Sequence, residues 1–388
     1  MRRAVGIAAV VVLLAGAFAL GLALTQSRQA QSHPVDASPA RLPSPISQVR
    51  AELRGEYYRA VPHDVLARPT IAGMLNALGD PYTDYLTAAQ YAQLKNDTQG
   101  RYGGVGLTVS PAKEGLIVTS APEGPARSAG IRPGDVIISI DGVSARALSF
   151  ERSMALVKGA QGTVVELMVQ RPKAGQIRFR IVRDEVPAPD LQARLVSVRR
   201  TPFAYVRLLA FPAGMATRLE QATARLVERG ARGLVLDLRG NPGGLLAQAV
   251  GTVSIFVPSG IVCTTDGFHQ EKRVFGVSGG ARFPSLRVVV LVDRGSASAA
   301  EVVAAALADD GRAAVVGQRT YGKATVQTIR LLSNGGALKL TTATYRTPAG
   351  RDITRTGVRP SVHTLDDPRT RRDEALVTAE KVLLEQLR

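Results

Sequence analysis

The segment Arg287-Val-Val-Val-Leu-Val-Asp-Arg-Gly-Ser-Ala-Ser-Ala-Ala-Glu301 decides how this chain is read. Its apolar run has the length and β-branching of a strand buried on both faces, predicted over Arg287 to Val292. An Asp-Arg-Gly turn then delivers the chain into an alanine-rich helix, Ala299 to Asp309. Ser298 therefore falls at the helix mouth, where the first N–H groups lack intrahelical partners and face incoming negative charge. A nucleophilic hydroxyl needs that placement, and the Ala299 N–H is a natural donor to an oxyanion. The spacing of Ser298 and Glu301 is equally that of a capping box, in which the hydroxyl merely closes the helix.

Lys323, in Thr320-Tyr-Gly-Lys-Ala-Thr-Val-Gln-Thr328, shifts the balance toward chemistry. No histidine is a ready base: His33 and His63 stand far upstream, and His269 and His363 lie in loop-like segments without a partnering motif. A lysine can take that role when burial disfavours its ammonium form. Moving it from about 10.4 to near 7 takes roughly 4–5 kcal/mol. Alternate residues of a strand share a face, so Lys323, Thr325 and Gln327 are expected to point the same way, with Gln327 aiming the amine. Taken singly, Lys323 reads as a solvated charge and Gln327 as an ordinary exposed strand residue. In Val235-Leu-Asp-Leu-Arg-Gly-Asn-Pro-Gly-Gly-Leu245 a strand ends in a glycine-rich loop, where Gly243 or Gly244 can offer a second oxyanion donor and Asp237 and Arg239 brace the turn. The loop lacks the spacing of a phosphate-binding loop.

Around these stretches, strands and helices alternate beyond Pro187, which predicts a layered α/β domain. Its strands are Phe203–Leu208, Gly233–Leu238, Arg287–Val292, Ala314–Gln318 and Thr325–Leu331, and its helices 214–229, 245–254 and 299–309. Between Gly100 and Arg183 the period changes to short alternating strands, interrupted by one helix near Ser149 to Lys158. Ile46 to Gln93 is helical in pattern, divided by a turn at Gly79-Asp80-Pro81. The segment Pro368 to Arg388 is an amphipathic helix with Leu376, Ala379, Leu383 and Leu387 on one stripe. Such a stripe docks on the chain's own core or joins subunits, which leaves room for a homo-oligomer.

Arg2 and Arg3 precede an uncharged stretch from Ala4 to Leu24, the pattern of an export signal. The stretch is long enough to stay as a membrane anchor, although Ala17-Phe18-Ala19 keeps cleavage open. Positive charge before the helix predicts that the bulk of the chain acts outside the cytoplasm, in the cell envelope or periplasm, membrane-anchored or secreted. Gln26 to Pro45 reads as a mobile tether. The 388 residues suggest two or three domains. The net charge of +17 raises nucleic acid as a partner, but scattered arginines and 5% aromatics do not build a stacking platform. Cys263 is the only cysteine, which excludes an intrachain disulfide or a zinc-cysteine cluster, and no metal or organic cofactor is called for.

In order and spacing, Leu236-Asp-Leu-Arg-Gly-Asn-Pro-Gly-Gly-Leu245, Ser296-Ala-Ser-Ala-Ala-Glu301 and Tyr321-Gly-Lys-Ala-Thr-Val-Gln327 resemble the motifs of the carboxyl-terminal processing peptidases, the tail-specific S41 serine peptidase family. The likeness extends to Gly73-Met-Leu-Asn-Ala-Leu-Gly-Asp-Pro-Tyr82. It implies an α/β multidomain protein with a crotonase-like or Clp-protease-like catalytic core, an inserted, mostly β PDZ domain and an N-terminal helical segment. It also implies Ser298 as nucleophile, Lys323 as general base, Gln327 as orienting residue, and Ala299 with Gly243 as oxyanion amides.

Tyr102-Gly-Gly-Val-Gly-Leu107 and Ile131-Arg-Pro-Gly-Asp-Val-Ile-Ile-Ser-Ile-Asp-Gly142 resemble a PDZ domain, which adds a peptide as a strand and holds its carboxylate with backbone N–H groups. Gly104, Val105, Gly106 and Leu107 form the candidate carboxylate loop. Lys158 stands where many relatives carry the arginine that couples substrate capture to activity, and it offers a point charge in place of a bidentate fork. The expected division is 1–25 signal or anchor, 26–45 linker, 46–96 helical region, 97–185 PDZ domain, 186–367 peptidase domain and 368–388 C-terminal helix. The expected substrates are proteins or peptides with free, apolar C-termini. The rival readings are a catalytically inactive PDZ peptide-binding protein on a peptidase scaffold, and an exported protein that binds anions through its basic surface.

Overall fold

The computed structural model describes residues 43–148, 153, 156–159, 161–187, 190–365 and 372–387. The export segment 1–25, almost all of the tether and most of the helix expected near Ser149 to Lys158 lie outside the described residues. Among the described residues no helix is long and apolar enough to cross a membrane.

The chain opens with α1 (Pro45–Glu56), α2 (His63–Leu66) and α3 (Ile71–Leu78). Ser44 and Pro45 start α1, the serine accepting the Ser47 N–H. Thr70 caps α3, and Gly79 ends it in the left-handed conformation, φ 67°. A short strand β1 (Asp84–Leu86) leads to α4 (Ala88–Thr98), which carries a full Thr87–Gln90 capping box yet buries none of its own side chains.

The chain then enters an antiparallel insert through β2 (Arg101–Gly104) and continues through β3 (Thr108–Ala112), β4 (Gly115–Ser120), a turn of helix α5 (Pro125–Ser128), β5 (Val136–Ile140), β6 (Val143–Ser144), β7 (Val164–Arg171) and β8 (Gly175–Val182). It leaves through β9 (Asp184–Pro187), which pairs with β2. The sheet order is β3-β4-β5-β7-β8, with β6 on β5, so β3 is an edge strand. Alternate apolar residues, among them Val118, Ile137, Leu167, Val169 and Ile181, fill its core, as a half-buried sheet requires. Asp135 and Arg171 close one end with paired bonds of 2.8 Å.

The remainder comprises β10 (Leu191–Val198), β11 (Thr201–Leu208), α6 (Met215–Glu228), β12 (Gly233–Asp237), α7 (Leu246–Ser254), β13 (Ile261–Gly267), β14 (Gln270–Gly276), β15 (Arg287–Val292), α8 (Ala299–Asp309), β16 (Ala313–Gly317), β17 (Thr325–Leu331), β18 (Ala337–Arg346), β19 (Val362–His363) and α9 (Glu374–Gln386). One sheet runs β10-β11-β12-β15-β16-β19, parallel apart from the β10–β11 pair. Helices α6, α7 and α8 cover one face and α9 the other, so β12 and β15 are apolar through their length. Helix α8 is buried from Ala299 to Leu307 without a break, which explains its alanine content: small side chains let it lie close between neighbours on every side.

Thr325–Leu331 is a strand with the bounds read from the sequence, but it lies outside this sheet. Strand β17 belongs to a second, antiparallel sheet built on β18, with β17 along one edge of β18 and β1 and β13 along the other. Residues 84–86 thereby pair with 337–339, which ties the first helices to the far end of the chain. Their core joins Val49, Leu53, Tyr57 and Met74 to Leu338 and Leu340.

The amphipathic stripe near the C-terminus docks on the chain's own sheet: Ala375, Ala379 and Leu383 are buried against Phe203, Val235 and Val289. Leu383 also covers Gly233, where an added Cβ would come within 2.9 Å of it. Leu383→Ala is expected to lower unfolding stability by about 2–5 kcal/mol in denaturant titrations, through lost burial and the cavity left behind.

Candidate active site

The turn that delivers Ser298 is fixed from outside before its side chain is reached. Asp293, just after β15, accepts the Gly295 N–H (2.9 Å) and, from the loop after β12, the Gly240 N–H (2.8 Å). Buried Ser296 donates to the Leu238 carbonyl (2.8 Å), and the Ala297 N–H donates to the Asn241 carbonyl (2.9 Å). Held this way, Ser298 adopts φ 54° and ψ −118°. A non-glycine residue avoids that conformation unless its surroundings enforce it, and the same kind of strained strand-to-helix turn exposes the nucleophile of other hydrolases.

The capping-box spacing is used from the Glu301 side, whose carboxylate accepts the Ser298 N–H (2.9 Å). The Glu301 N–H in turn faces Ser298 within the same capping box and goes to its carbonyl (2.8 Å). Glu301 itself is fully buried, and its two oxygens also receive the Thr320 hydroxyl, the Gly322 N–H (2.7 Å) and the Lys323 N–H (2.9 Å). One carboxylate thereby binds the serine turn to the lysine loop. Read locally, Glu301 is only a cap: its spacing from Ser298 is visible, but the arrival of the Thr320–Lys323 loop is not.

Lys323 lies half-buried in the loop before β17, with its carbonyl taking the Tyr345 hydroxyl at 2.7 Å. The same hydroxyl lies 3.2 Å from the Ser298 carbonyl. Burial lowers the amine's pKa from the ordinary 10.5, helped by Lys339 and opposed by Asp80 and Glu301. Ser298, Ala299, Gly243, Gly244, Lys323 and Gln327 all line one cavity of about 670 Å³, and no histidine does. Leu245, Leu246, Val302, Val326 and Ile329 give the cavity apolar walls, and α4 forms part of its rim.

Gln327 departs from expectation. Its amide nitrogen donates to Thr325 Oγ1 (2.9 Å) and Thr341 Oγ1 (3.5 Å), not to Lys323. Thr325 and Gln327 share a face, as strand alternation predicts, and they pair with each other while lining the same cavity as Lys323. Gly243 meets expectation in position and departs in bonding. At φ 103° it lies against the Ser298 turn, where a Cβ would come within 2.8 Å of Ser298 Cβ, so glycine is required. Its N–H, however, donates to Asn241 Oδ1 (2.8 Å), whose side chain is itself held by the Leu208 carbonyl. The N–H groups of Ala299 and Gly244 make no hydrogen bond among the described residues.

Asp237 and Arg239 brace the loop, as their sequence suggested. Arg239 forks onto buried Asp237 and onto Asp373, the N-cap of α9, while Tyr205 donates to Asp237 at 2.7 Å. Burial alone would lower the Arg239 pKa, but the bonds to Asp237 and Asp373 raise it.

In the insert, Val105 and Leu107 turn their side chains into the core, and Gly106 takes φ 75°. Gly104 is already part of β2, paired with Asp184. Lys158 does not line the catalytic cavity; its amine stacks over the Tyr102 ring, 4.9 Å from the centroid.

Residues 202–364 match peptidase family S41, and residues 116–171 match a PDZ domain. The carboxy-terminal processing protease CtpA of Bacillus subtilis (strain 168) is 31% identical over 318 residues, which cover 82% of this chain and 68% of that one. The chloroplastic C-terminal processing peptidase of Tetradesmus obliquus is 34% identical, covering 80% of this chain and 71% of its own length. This chain belongs to peptidase family S41. A solved structure of the photosystem II D1 C-terminal processing protease overlays with a TM-score of 0.55 at 29% identity, covering 86% of this chain and 96% of that one. The S41 chain is a serine-type endopeptidase of the C-terminal processing kind, an α/β protein carrying a PDZ domain.

Two consequences follow for this S41 site. Glu301→Gln puts an amide N–H₂ among donors, which is expected to lower stability by about 2–3 kcal/mol and to reduce kcat/KM together with it, read by thermal unfolding and peptide cleavage. Because folding lowers the Lys323 pKa, the unfolded chain binds more protons between that value and 10.5. The group's contribution to stability therefore rises with pH across that window, and Lys323→Met is expected to flatten the rise in denaturation midpoints.

Proposed function

We propose that this S41 peptidase cleaves proteins through an acyl-enzyme on Ser298, with Lys323 as general base. Ser298 Oγ attacks the scissile carbonyl while its proton passes to the neutral Lys323 amine. The carbon–nitrogen bond then breaks, and the ammonium returns the proton to the leaving amine. Water repeats the sequence on the ester: it gives a proton to Lys323, the carboxylic acid leaves, and Ser298 regains its hydrogen. The Ala299 N–H is the ready donor to the tetrahedral oxyanion. Gly243 supplies the second when its N–H exchanges Asn241 for that oxyanion, and Gln327 orients the amine once its bond to Thr325 is released.

The observation that carries this reading is the meeting, in one cavity, of a serine in a strained turn at a helix mouth and a lysine whose charge is disfavoured by burial. The two-sided sheet with its helical layers supports a crotonase-like or Clp-protease-like core across 186–367, with 46–96 as a helical region, 97–185 as the PDZ domain and 368–388 as the closing helix.

Substrates on this reading are unfolded or loosely folded proteins with free, apolar C-termini. A tail adds to the open edge of β3 while the N–H groups of the Gly104–Leu107 segment take its carboxylate. Lys158, resting on Tyr102, links that capture to the catalytic half through β2. Residues 1–25 export the chain and hold it at the membrane or are removed, so it acts outside the cytoplasm.

Ser298→Ala is expected to abolish cleavage of an unfolded protein with an apolar tail while leaving the unfolding temperature unchanged; undiminished turnover would sink the assignment. The pH profile of kcat/KM is expected to fall on the acid side with a midpoint below 10.5, as Lys323 gains a proton.

A further inference from the structure

The turn Gly79-Asp80-Pro81-Tyr82-Thr83 has no part in the chemistry described so far, yet it brings an aromatic ring against the Lys323 amine. The Lys323 amine lies 5.0 Å from the centroid of the Tyr82 ring, inside the range in which an aromatic face attracts a cation. We propose that Tyr82 is a positioning residue for the catalytic base: its ring walls the Lys323 amine from water, and its face steadies the charge taken on when the amine accepts the Ser298 proton. The proposal rests on Lys323 being the base.

The turn is built to hold that ring still. Asp80 Oδ1 accepts the Tyr82 N–H (2.9 Å), and Asp80 Oδ2 receives the Thr83 hydroxyl (2.7 Å) and the Tyr57 hydroxyl (3.3 Å). Thr83, nearly inaccessible, bonds the Thr341 N–H (3.0 Å), and Thr341 Oγ1 in turn receives the Gln327 amide. The turn is therefore anchored to β18 directly behind the catalytic strand. Burial first, then neighbouring Tyr321, push the Tyr82 pKa up to about 12. The ring thus stays an uncharged phenol at neutral pH.

Water exclusion and an attractive ring face act on the amine in opposite directions. Removing water favours the neutral form needed before attack; the electron-rich face favours the ammonium formed during it. The other groups facing the amine are Lys339 on β18, which disfavours its charge, and Asp80 and Glu301, which favour it. The Tyr345 hydroxyl engages the Lys323 carbonyl and leaves the amine alone. Tyr82 is thus the one aromatic ring stacked on the amine among the described residues.

The opposed effects give different signatures in the full-length chain, assayed with a fluorescence-quenched peptide ending in three apolar residues and a free carboxylate. Tyr82→Phe keeps ring and wall, and its pH–rate profile is expected to match the wild type within about twofold. Tyr82→Ala admits water: the acid limb is expected to move up by about one pH unit, an approximately tenfold loss at neutral pH. Tyr82→Leu keeps water out and loses the face: the limb stays or moves down, and the plateau drops about two- to fivefold.

Thermal unfolding checks that each variant is folded, and if the alanine variant is not, the contrast between leucine and phenylalanine decides. Ala and Leu variants with unmoved limbs and plateaus, or equal losses in all three, would overturn the proposal. Lys323→Ala runs alongside: wild-type turnover there removes the base assignment and this proposal together, whereas an inactive Lys323→Ala with unmoved Tyr82 profiles removes the proposal alone.

Discussion

The buried carboxylate of Glu301 is the constraint on which the site depends. It sits at the mouth of α8 and takes N–H groups from Ser298, Gly322 and Lys323 together with the Thr320 hydroxyl. A charge removed from water needs such company, because each unsatisfied lone pair would cost kilocalories. The carboxylate therefore cannot be satisfied unless the loop after β16 closes against the turn after β15. The distance between the Ser298 turn and the Lys323 loop is set by this need for hydrogen bonds, which backbone N–H groups and one threonine hydroxyl meet. The strained backbone of Ser298 is held by the same arrangement, with Asp293 and Ser296 gripping the preceding turn.

A second layer of order surrounds the first. The glycine-rich loop after β12 is fixed by Asn241, which bonds the Leu208 carbonyl and the Gly243 N–H. The base of that loop is fixed by the Asp237–Arg239–Asp373 chain, which reaches the first turn of α9. The C-terminal helix is thus coupled to the cavity through a guanidinium as well as through its apolar stripe. From the first helices, the Asp80 turn brings Tyr82 against the Lys323 amine. Distant parts of the chain converge because three loops at the carboxyl ends of parallel strands need bracing from outside the sheet.

Much of this was legible in the residues. The apolar run from Arg287 to Val292, ended by Asp-Arg-Gly and followed by alanines, specifies a buried strand, a turn and a buried helix through local chemistry alone, and the structure has those bounds. Val164–Arg171 likewise follows from alternation. What local pattern could not supply was partnership. Strand β18 pairs on one edge with its hairpin neighbour β17 and on the other with β1 and β13 from remote parts of the sequence, and the pairing of β13 with β14 is broken by register shifts. The hydrogen bonds of Gln327 to Thr325 and Thr341 were likewise out of reach, because Thr341 comes from the paired strand. Glu301 and Tyr82 acquire their meaning only where separate loops meet.

The ribbon formed by β2 and β9 gives the insert a property of its own. Its incoming and outgoing strands pair from Arg101 with Pro187 to Gly104 with Asp184, so both ends of the domain pass through one narrow neck. A module attached by such a neck can be exchanged without disturbing the strand order of the sheet that carries the serine. The peptidase sheet can in this way keep its hydrogen-bonded order whatever the loops and strands beyond the neck become.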